Sequence, residues 1–343
     1  MRRTAQLECW VRELFAGQFP GEVVAIEPAS ADASFRRYFR VRLADDTTRI
    51  VMDAPPEKED CRPFLTIAAL FREAGVHVPD VLAEDLEQGF LLLSDLGSTT
   101  YLAALQDRRQ APRLYEDANR ALVAIQLASR EGQLPDYDRS LLYREMCLFP
   151  DWYLVRHLGQ TPDDATRQTL LAVFSTILDN NLSQKQVFVH RDYHSRNLMV
   201  VAGSSEHSLA NPGILDFQDA VYGPLTYDLV SLYRDAYIEW PEEVELDHVI
   251  RYWEMARKAG LPVQSDFHDF YRDYEWMGAQ RQIKVLGIFA RLCHRDGKDD
   301  YLKDMPRVIG YLRRTSRRYR ELQPLALLLD TLDERSSDVG YTF

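Results

Sequence analysis

The sequence predicts an α+β fold of two lobes: a small, strand-rich lobe over residues 1–94 and a larger, mostly helical one over 95–343. Three observations carry this. Between residues 23 and 93, short apolar runs are bounded by turn formers, and apolar and charged residues alternate along one of them. From residue 99 on, apolar residues recur at helical spacing. Three brief apolar runs, at 187–189, 198–201 and 213–215, interrupt that helical region as strands.

Residues 4–17 set Leu7, Trp10, Val11, Leu14 and Phe15 on one helical stripe, and Gly17 stops it. Residues 23–26 open the strands. Phe39, Val41 and Leu43 then alternate with Arg40 and Arg42, as a half-buried strand requires. Residues 49–54 make a further strand. Residues 64–73 form a helix with Ile67, Ala68 and Phe71 in register and Gly75 after it. Strands follow at 79–83 and 90–93, the second leaving through the polar turn Ser94-Asp95-Leu96-Gly97. Helices are expected over 112–130, 141–158 (one helix or a pair), 166–182, 225–237, 248–260, 267–292 and 305–320. Asp228 stands near the start of the fourth, where a carboxylate is favoured. The final twenty residues are weakly patterned and are expected to be partly mobile.

Composition narrows the partners. The 53 acidic residues outnumber 41 basic ones, a net charge of −12 that argues against a nucleic-acid partner. The four cysteines, Cys9, Cys61, Cys147 and Cys293, form no C-x-x-C pair, so neither a zinc site nor a disulfide framework is expected. Free thiols fit a reducing compartment, and a cytoplasmic location is expected. No apolar run is long enough to span a membrane, and MRRTAQLECW lacks the apolar core of a secretory signal. A monomer is expected.

The chemistry concentrates between residues 187 and 219. His190, Arg191 and Asp192 are followed, after four residues, by Asn197, matching H-R-D-x-x-x-x-N. Nineteen positions further on stands Asp216, within Leu215-Asp216-Phe217. A triphosphate is handled with Mg²⁺, which wants hard oxygen ligands; Asn197 offers an amide oxygen and Asp216 a carboxylate. Asp192 is a base that can orient an attacking hydroxyl and take its proton. Alone, each is more often a turn former or a strand cap. Their order, spacing and apolar flanks together point to phosphoryl transfer from ATP.

Other residues join this reading. The segment SADASFRRYF, 30–39, stands where a phosphate-covering loop is needed, with Ser34, Phe35 and Arg37 as nucleotide contacts; an ordinary hairpin tip fits equally well. Ser94, Asp95 and Leu96 are placed at the adenine, read through backbone N–H and C=O groups. The strand over 49–54 has no lysine to pair with phosphates, and Arg36, Arg37 and Lys58 are the candidate substitutes, each equally a solvated charge. For the sugar acceptor that the family resemblance described next implies, Glu145, His194 and Asp219 offer hydrogen bonds, and Trp152 and Tyr222 offer faces; core packing and surface charge are the plain alternatives. His190, Arg191 and Asp228 are expected to support the loop, with a phosphate contact as the alternative for Arg191.

These residues resemble the aminoglycoside phosphotransferase and choline kinase family, relatives of the protein kinases. Its H-x-D-x-x-x-x-N appears as His190, Asp192 and Asn197, its I-D-F/W as Leu215-Asp216-Phe217, and its Y-D-L as Tyr227-Asp228-Leu229. The resemblance implies a bilobal protein-kinase-like fold and an ATP- and Mg²⁺-dependent phosphotransferase. DASFRRYFRV (32–41), LLLSDLG (91–97), LYREMCLFPDWYL (142–154) and ILDFQDAVYGPLTYDLVSLYRD (214–235) are similar to one sub-family. These are the bacterial anomeric kinases of N-acetylmuramate and N-acetylglucosamine, which serve peptidoglycan recycling. That sub-family also lacks the strand lysine. Two alternatives stand beside it: phosphorylation of an aminoglycoside or another small alcohol, and a pseudokinase that only binds.

Overall fold

The computed structural model describes residues 2–31, 35–201 and 209–338. Its first sheet explains the alternation in the N-terminal third. Helix α1 (Arg2–Gly17) precedes β1 (Val23–Ala31), β2 (Arg37–Leu43) and β3 (Thr48–Asp53). Then come α2 (Arg62–Glu73), the two-residue β4 (Val76–His77), β5 (Val81–Asp85) and β6 (Phe90–Ser94). All but β4 of these strands pair antiparallel in the order β1-β2-β3-β6-β5. Along β2, Phe39, Val41 and Leu43 are buried while Arg42 is exposed. Those side chains pack with Leu7, Val11 and Leu14 of α1. Full burial of each such aliphatic side chain stabilises the fold by about 1.5–3 kcal/mol.

The chain continues through α3 (Tyr101–Ala104), α4 (Ala111–Leu127), α5 (Arg139–Met146), a π-helical segment (Phe149–His157), α6 (Asp164–Ser183) and β7 (Gln186–Val189). Next are β8 (Leu198–Met199), β9 (Leu209–Ile214), β10 (Val221–Pro224) and α7 (Tyr227–Tyr233). The C-terminal helices are α8 (Glu242–Lys258), α9 (Phe267–Asp296), α10 (Met305–Arg318) and α11 (Gln323–Asp338). Aspartates begin several helices. Asp138, Asp163 and Asp266 accept hydrogen bonds from the backbone N–H groups of Leu141, Thr166 and His268. Gly297, with φ +66°, closes α9.

Two further sheets are small. β4-β9-β8 forms one, with β8 and β9 antiparallel, and β10 pairs with β7 in the other. The chain folds as two units that do not follow chain order: 1–104 with 197–219, and 105–196 with 220–343. The expected lobes were consecutive, 1–94 and 95–343; in the structure, residues 197–219 return to the first unit.

Other elements depart from expectation as well. The strand expected at 79–83 runs over Val81–Asp85. Of the two forms expected over 141–158, one helix or a pair, the structure has the pair, α5 and the π-helical segment. The weakly patterned tail carries α11, whose Leu325, Ala326, Leu329 and Leu332 are buried at helical spacing. In α9 every residue from 273 to 287 is buried. At Gly287 an added Cβ would lie 2.4 Å from the carbonyl carbon of Leu148, so only glycine permits this approach to the backbone before the π-helical segment.

Candidate active site

β7 delivers the chain into the loop 190–196, which the second unit holds at nearly every residue. Asp228, in the first turn of α7, is fully buried. Its two oxygens accept the backbone N–H groups of His190 (2.6 Å) and Arg191 (3.0 Å). Asp235, also buried, accepts the N–H of Ser195 at 2.9 Å. The hydroxyl of Tyr193 donates to the carbonyl of Ala118 (2.8 Å). Arg191 sits at φ +77°, a conformation rarely adopted by a residue with a side chain. The N–H of Asp192 donates to Nδ1 of His190 at 3.2 Å, which places the neutral ring's proton on Nε2.

Asp192 itself is half-buried. Burial pushes its carboxyl upward, but Lys284, His194, Arg281 and Arg191 together outweigh that and hold it below the usual carboxylate range. It is therefore ionised at neutral pH, as a proton acceptor must be. Burial holds the His194 ring below its ordinary value, against the pull of Asp235 and Asp192.

Behind the loop lies a buried cluster. Nζ of Lys284, in α9, stands 3.0 Å from Oε1 of Glu145 and donates to the hydroxyl of Tyr227 at 2.9 Å. The same Glu145 oxygen accepts from Nη2 of Arg191, and the other accepts from the hydroxyl of Tyr137. Desolvation would raise the Glu145 carboxyl; Lys284 and Arg191 more than reverse it, so it stays charged. Glu145, expected at the sugar, is thus engaged on both oxygens by protein donors and acts as the counter-ion of Arg191 and Lys284.

The first unit brings Asn197 and Asp216 together through the β8–β9 ladder. Leu198 faces Ile214, and the N–H of Leu215 donates to the carbonyl of Asn197 at 2.9 Å. Nδ2 of Asn197 then lies 3.5 Å from Oδ2 of Asp216. Phe217 is fully buried, with ring centroids 4.8 Å from Phe64 and 5.8 Å from Phe71 on α2. Asp216 has φ +62°; its Oδ1 accepts from Nε2 of Gln218 (2.8 Å) and lies 3.7 Å from Nη2 of Arg36.

These donors suit Mg²⁺. One carboxylate and one amide, whose oxygen and nitrogen exchange by a half-turn, leave other positions for water and phosphate oxygens, the usual way Mg²⁺ is held. Among the described residues no group of three or more His, Cys, Asp or Glu side chains is gathered for a metal. A metal here would rest on Asn197 and Asp216.

The remaining candidates divide by unit. Ser34 lies outside the described residues. Phe35 is exposed and stacks under Nζ of Lys58 at 4.2 Å. Arg37 is paired with the buried Asp53, which Arg3 also grips at 2.6 Å. Of the three candidate cations, Arg36 is the one beside Asp216. The Ser94 hydroxyl accepts the N–H of Asp80 (2.8 Å), and Leu96 is buried. The Asp95 carboxylate is held by Arg40 at 2.6 and 3.1 Å, leaving backbone rather than the acid to meet a ligand. In the second unit, Trp152 and Tyr222 are half-buried and His194 is buried; Asp219 belongs to the first unit and is exposed. Asp235 and Lys284 escaped the sequence reading because their partners, Ser195 and Glu145, are distant in the chain; Arg281 escaped it because Asp192, which its charge reaches, is equally remote.

The chain is 48% identical over 347 residues, all of both chains, to an N-acetylmuramate/N-acetylglucosamine kinase of Neisseria meningitidis serogroup B. It is 50% identical to one of the same name in Pseudomonas aeruginosa, over 97% of each chain. Among solved structures, a choline kinase of Streptococcus pneumoniae superposes with a TM-score of 0.61 at 14% identity, covering 90% of this chain and 99% of that one. That likeness shows a kinase-like α+β fold. The model of the phosphotransferase enzyme family matches residues 25–261, well over half of the sequence, and the chain belongs to that family.

Proposed function

We propose that this chain transfers the γ-phosphoryl group of ATP to the anomeric hydroxyl of N-acetylmuramate and of N-acetylglucosamine. The observation that carries the reading is an ionised aspartate on a clamped loop, Asp192, in a chain matching kinases of that name along their whole length.

Asp192 accepts a hydrogen bond from the C1 hydroxyl and aligns it. As the sugar oxygen bonds to the γ-phosphorus, the bond from that phosphorus to the bridging oxygen breaks and ADP leaves. The hydroxyl proton passes to Asp192, and the product is the sugar 1-phosphate. The anomeric hydroxyl is the most acidic on the sugar, so a carboxylate with a low pKa suffices. Most of the acceleration comes from positioning and charge neutralisation. Asn197 and Asp216 would hold Mg²⁺, which neutralises triphosphate charge when bound.

Arg36 serves as the cation that the strand over 49–54 lacks. Ser34, Phe35 and Arg37 belong to the phosphate loop, and the backbone of Ser94, Asp95 and Leu96 meets the adenine. His194, Trp152, Tyr222 and Asp219 are assigned to the sugar, and Glu145 to holding Arg191. A monomer acting in the cytoplasm, where ATP is made, would return cell-wall amino sugars to use as 1-phosphates.

ATP turnover measured with N-acetylmuramate, N-acetylglucosamine and kanamycin tests the acceptor class. Turnover with both sugars and none with kanamycin is expected. Turnover with kanamycin alone would overturn the assignment in favour of aminoglycoside phosphorylation.

A further inference from the structure

Among the described residues of the second unit two arginines are buried, and they are treated differently. Arg234, 1% exposed, donates to Glu245, Glu275 and Thr315 at 2.7, 2.8 and 2.7 Å. Arg281 in α9 is 5% exposed, yet among the described residues it has no ion pair, and its Nε has no acceptor. A buried guanidinium without bonded partners costs stability, and such a group persists where a ligand supplies the partner.

Its surroundings say which ligand. Arg281 lies one helical turn before Lys284, on the same face of α9. Lys284 reaches Glu145, the carboxylate that holds Arg191 of the loop. Arg281 itself lies within electrostatic range of Asp192, His194 and Asp228. It therefore stands by the residue assigned to the acceptor's reacting hydroxyl. Asn197 and Asp216, assigned to the metal, belong to the first unit and have Arg36 as their cation.

We infer that Arg281 is the anion-binding residue of the acceptor site, and that it binds the carboxylate of the lactyl ether that distinguishes N-acetylmuramate from N-acetylglucosamine. This rests on the sugar-kinase reading above. A planar guanidinium offers parallel N–H groups that match a carboxylate in bidentate fashion. With N-acetylglucosamine, which lacks that group, water fills the place. Lys284 cannot substitute, because Glu145, Tyr227 and Tyr137 already take its three donors.

The test is the ratio of kcat/KM for N-acetylmuramate to that for N-acetylglucosamine, in the native chain and in Arg281→Gln. Loss of a charged bidentate contact lowers that ratio roughly 10- to 100-fold. Calorimetric binding of each sugar is expected to show the same selective loss for N-acetylmuramate. Arg281→Lys, which keeps the charge without the fork, is expected to fall between and carries the test should the Gln variant fail to fold. A ratio unchanged within about threefold in both variants overturns the inference; equal losses with the two sugars would assign Arg281 to the phosphoryl group or to the loop. A native chain that phosphorylates neither sugar would overturn the functional reading itself.

Discussion

A carboxylate that takes a proton during phosphoryl transfer has to be charged before the transfer begins. In Asp192 that condition depends on α9: Lys284 leads the cations that hold its carboxyl down against the cost of burial. Removing Lys284 lets that cost act, so the Asp192 pKa rises. For Lys284→Met we predict that the acidic limb of the kcat/KM–pH profile moves up by about one unit; an unmoved limb would contradict it. Asp192→Asn, which keeps the shape and removes the base, is predicted to lower kcat by about 10²- to 10⁴-fold with thermal stability nearly unchanged. Asp228 has the opposite displacement. Burial raises its carboxyl to about 7 from 3.8, despite two backbone N–H donors. The folded chain then holds a proton that the unfolded chain has released between pH about 4 and 7, so this group's contribution to stability declines as pH rises through that window. Urea unfolding across that window should show a flatter pH dependence for Asp228→Asn than for the native chain. The variant should also be less stable near pH 7, because one loop amide loses its acceptor. An unaltered slope would contradict this.

Among the elements, the β8–β9 ladder was legible because its two strands are close in the chain, and the 190–197 loop because its residues match a spaced motif, although the groups that hold it are 37 to 75 residues away. Asn197, Leu215 and Asp216 are joined by one short antiparallel pair, and the spacing shows it. Helix α9 was legible as a helix but not as a scaffold. Its residues 273–287 are buried on every side, so no polar stripe marks which of its charges face solvent. Lys284 reads as an ordinary surface cation until Glu145, from α5, and Tyr227, from α7, are placed beside it. Glu145 misled in the same way: a lone glutamate in an amphipathic pattern gives no sign of Arg191, Tyr137 and Lys284 closing round it. In α11 a real stripe, Leu325, Leu329 and Leu332, is diluted by exposed Leu327 and by the polar residues that follow. The approach of α9 to the backbone at Leu148 also belongs to this scale. Gly287→Ala would put a methyl group against that carbonyl, and we predict a loss of about 1–3 kcal/mol or more in urea unfolding. An unchanged midpoint would show that the contact yields.

Over the whole molecule, the return of residues 197–219 to the first unit matters most for function. The chain carries its proposed base in one unit and, five residues after Asp192, begins the segment that presents Asn197 and Asp216 in the other. A reading along the chain sees strand-rich and helical halves, and cannot see that a short stretch of the second half belongs with the first. Charge and hydropathy act at this scale too. A net charge of −12 suits small ligands met through local cations better than a polyanion, and among the described residues no helix is long and apolar enough to cross a membrane. The product that the intact chain makes is the most direct evidence of its chemistry. The ³¹P NMR spectrum of its product, after incubation with ATP, Mg²⁺ and N-acetylmuramate or N-acetylglucosamine, is predicted to show the sugar 1-phosphate. A 6-phosphate, or ATP left unconsumed with both sugars, would contradict it.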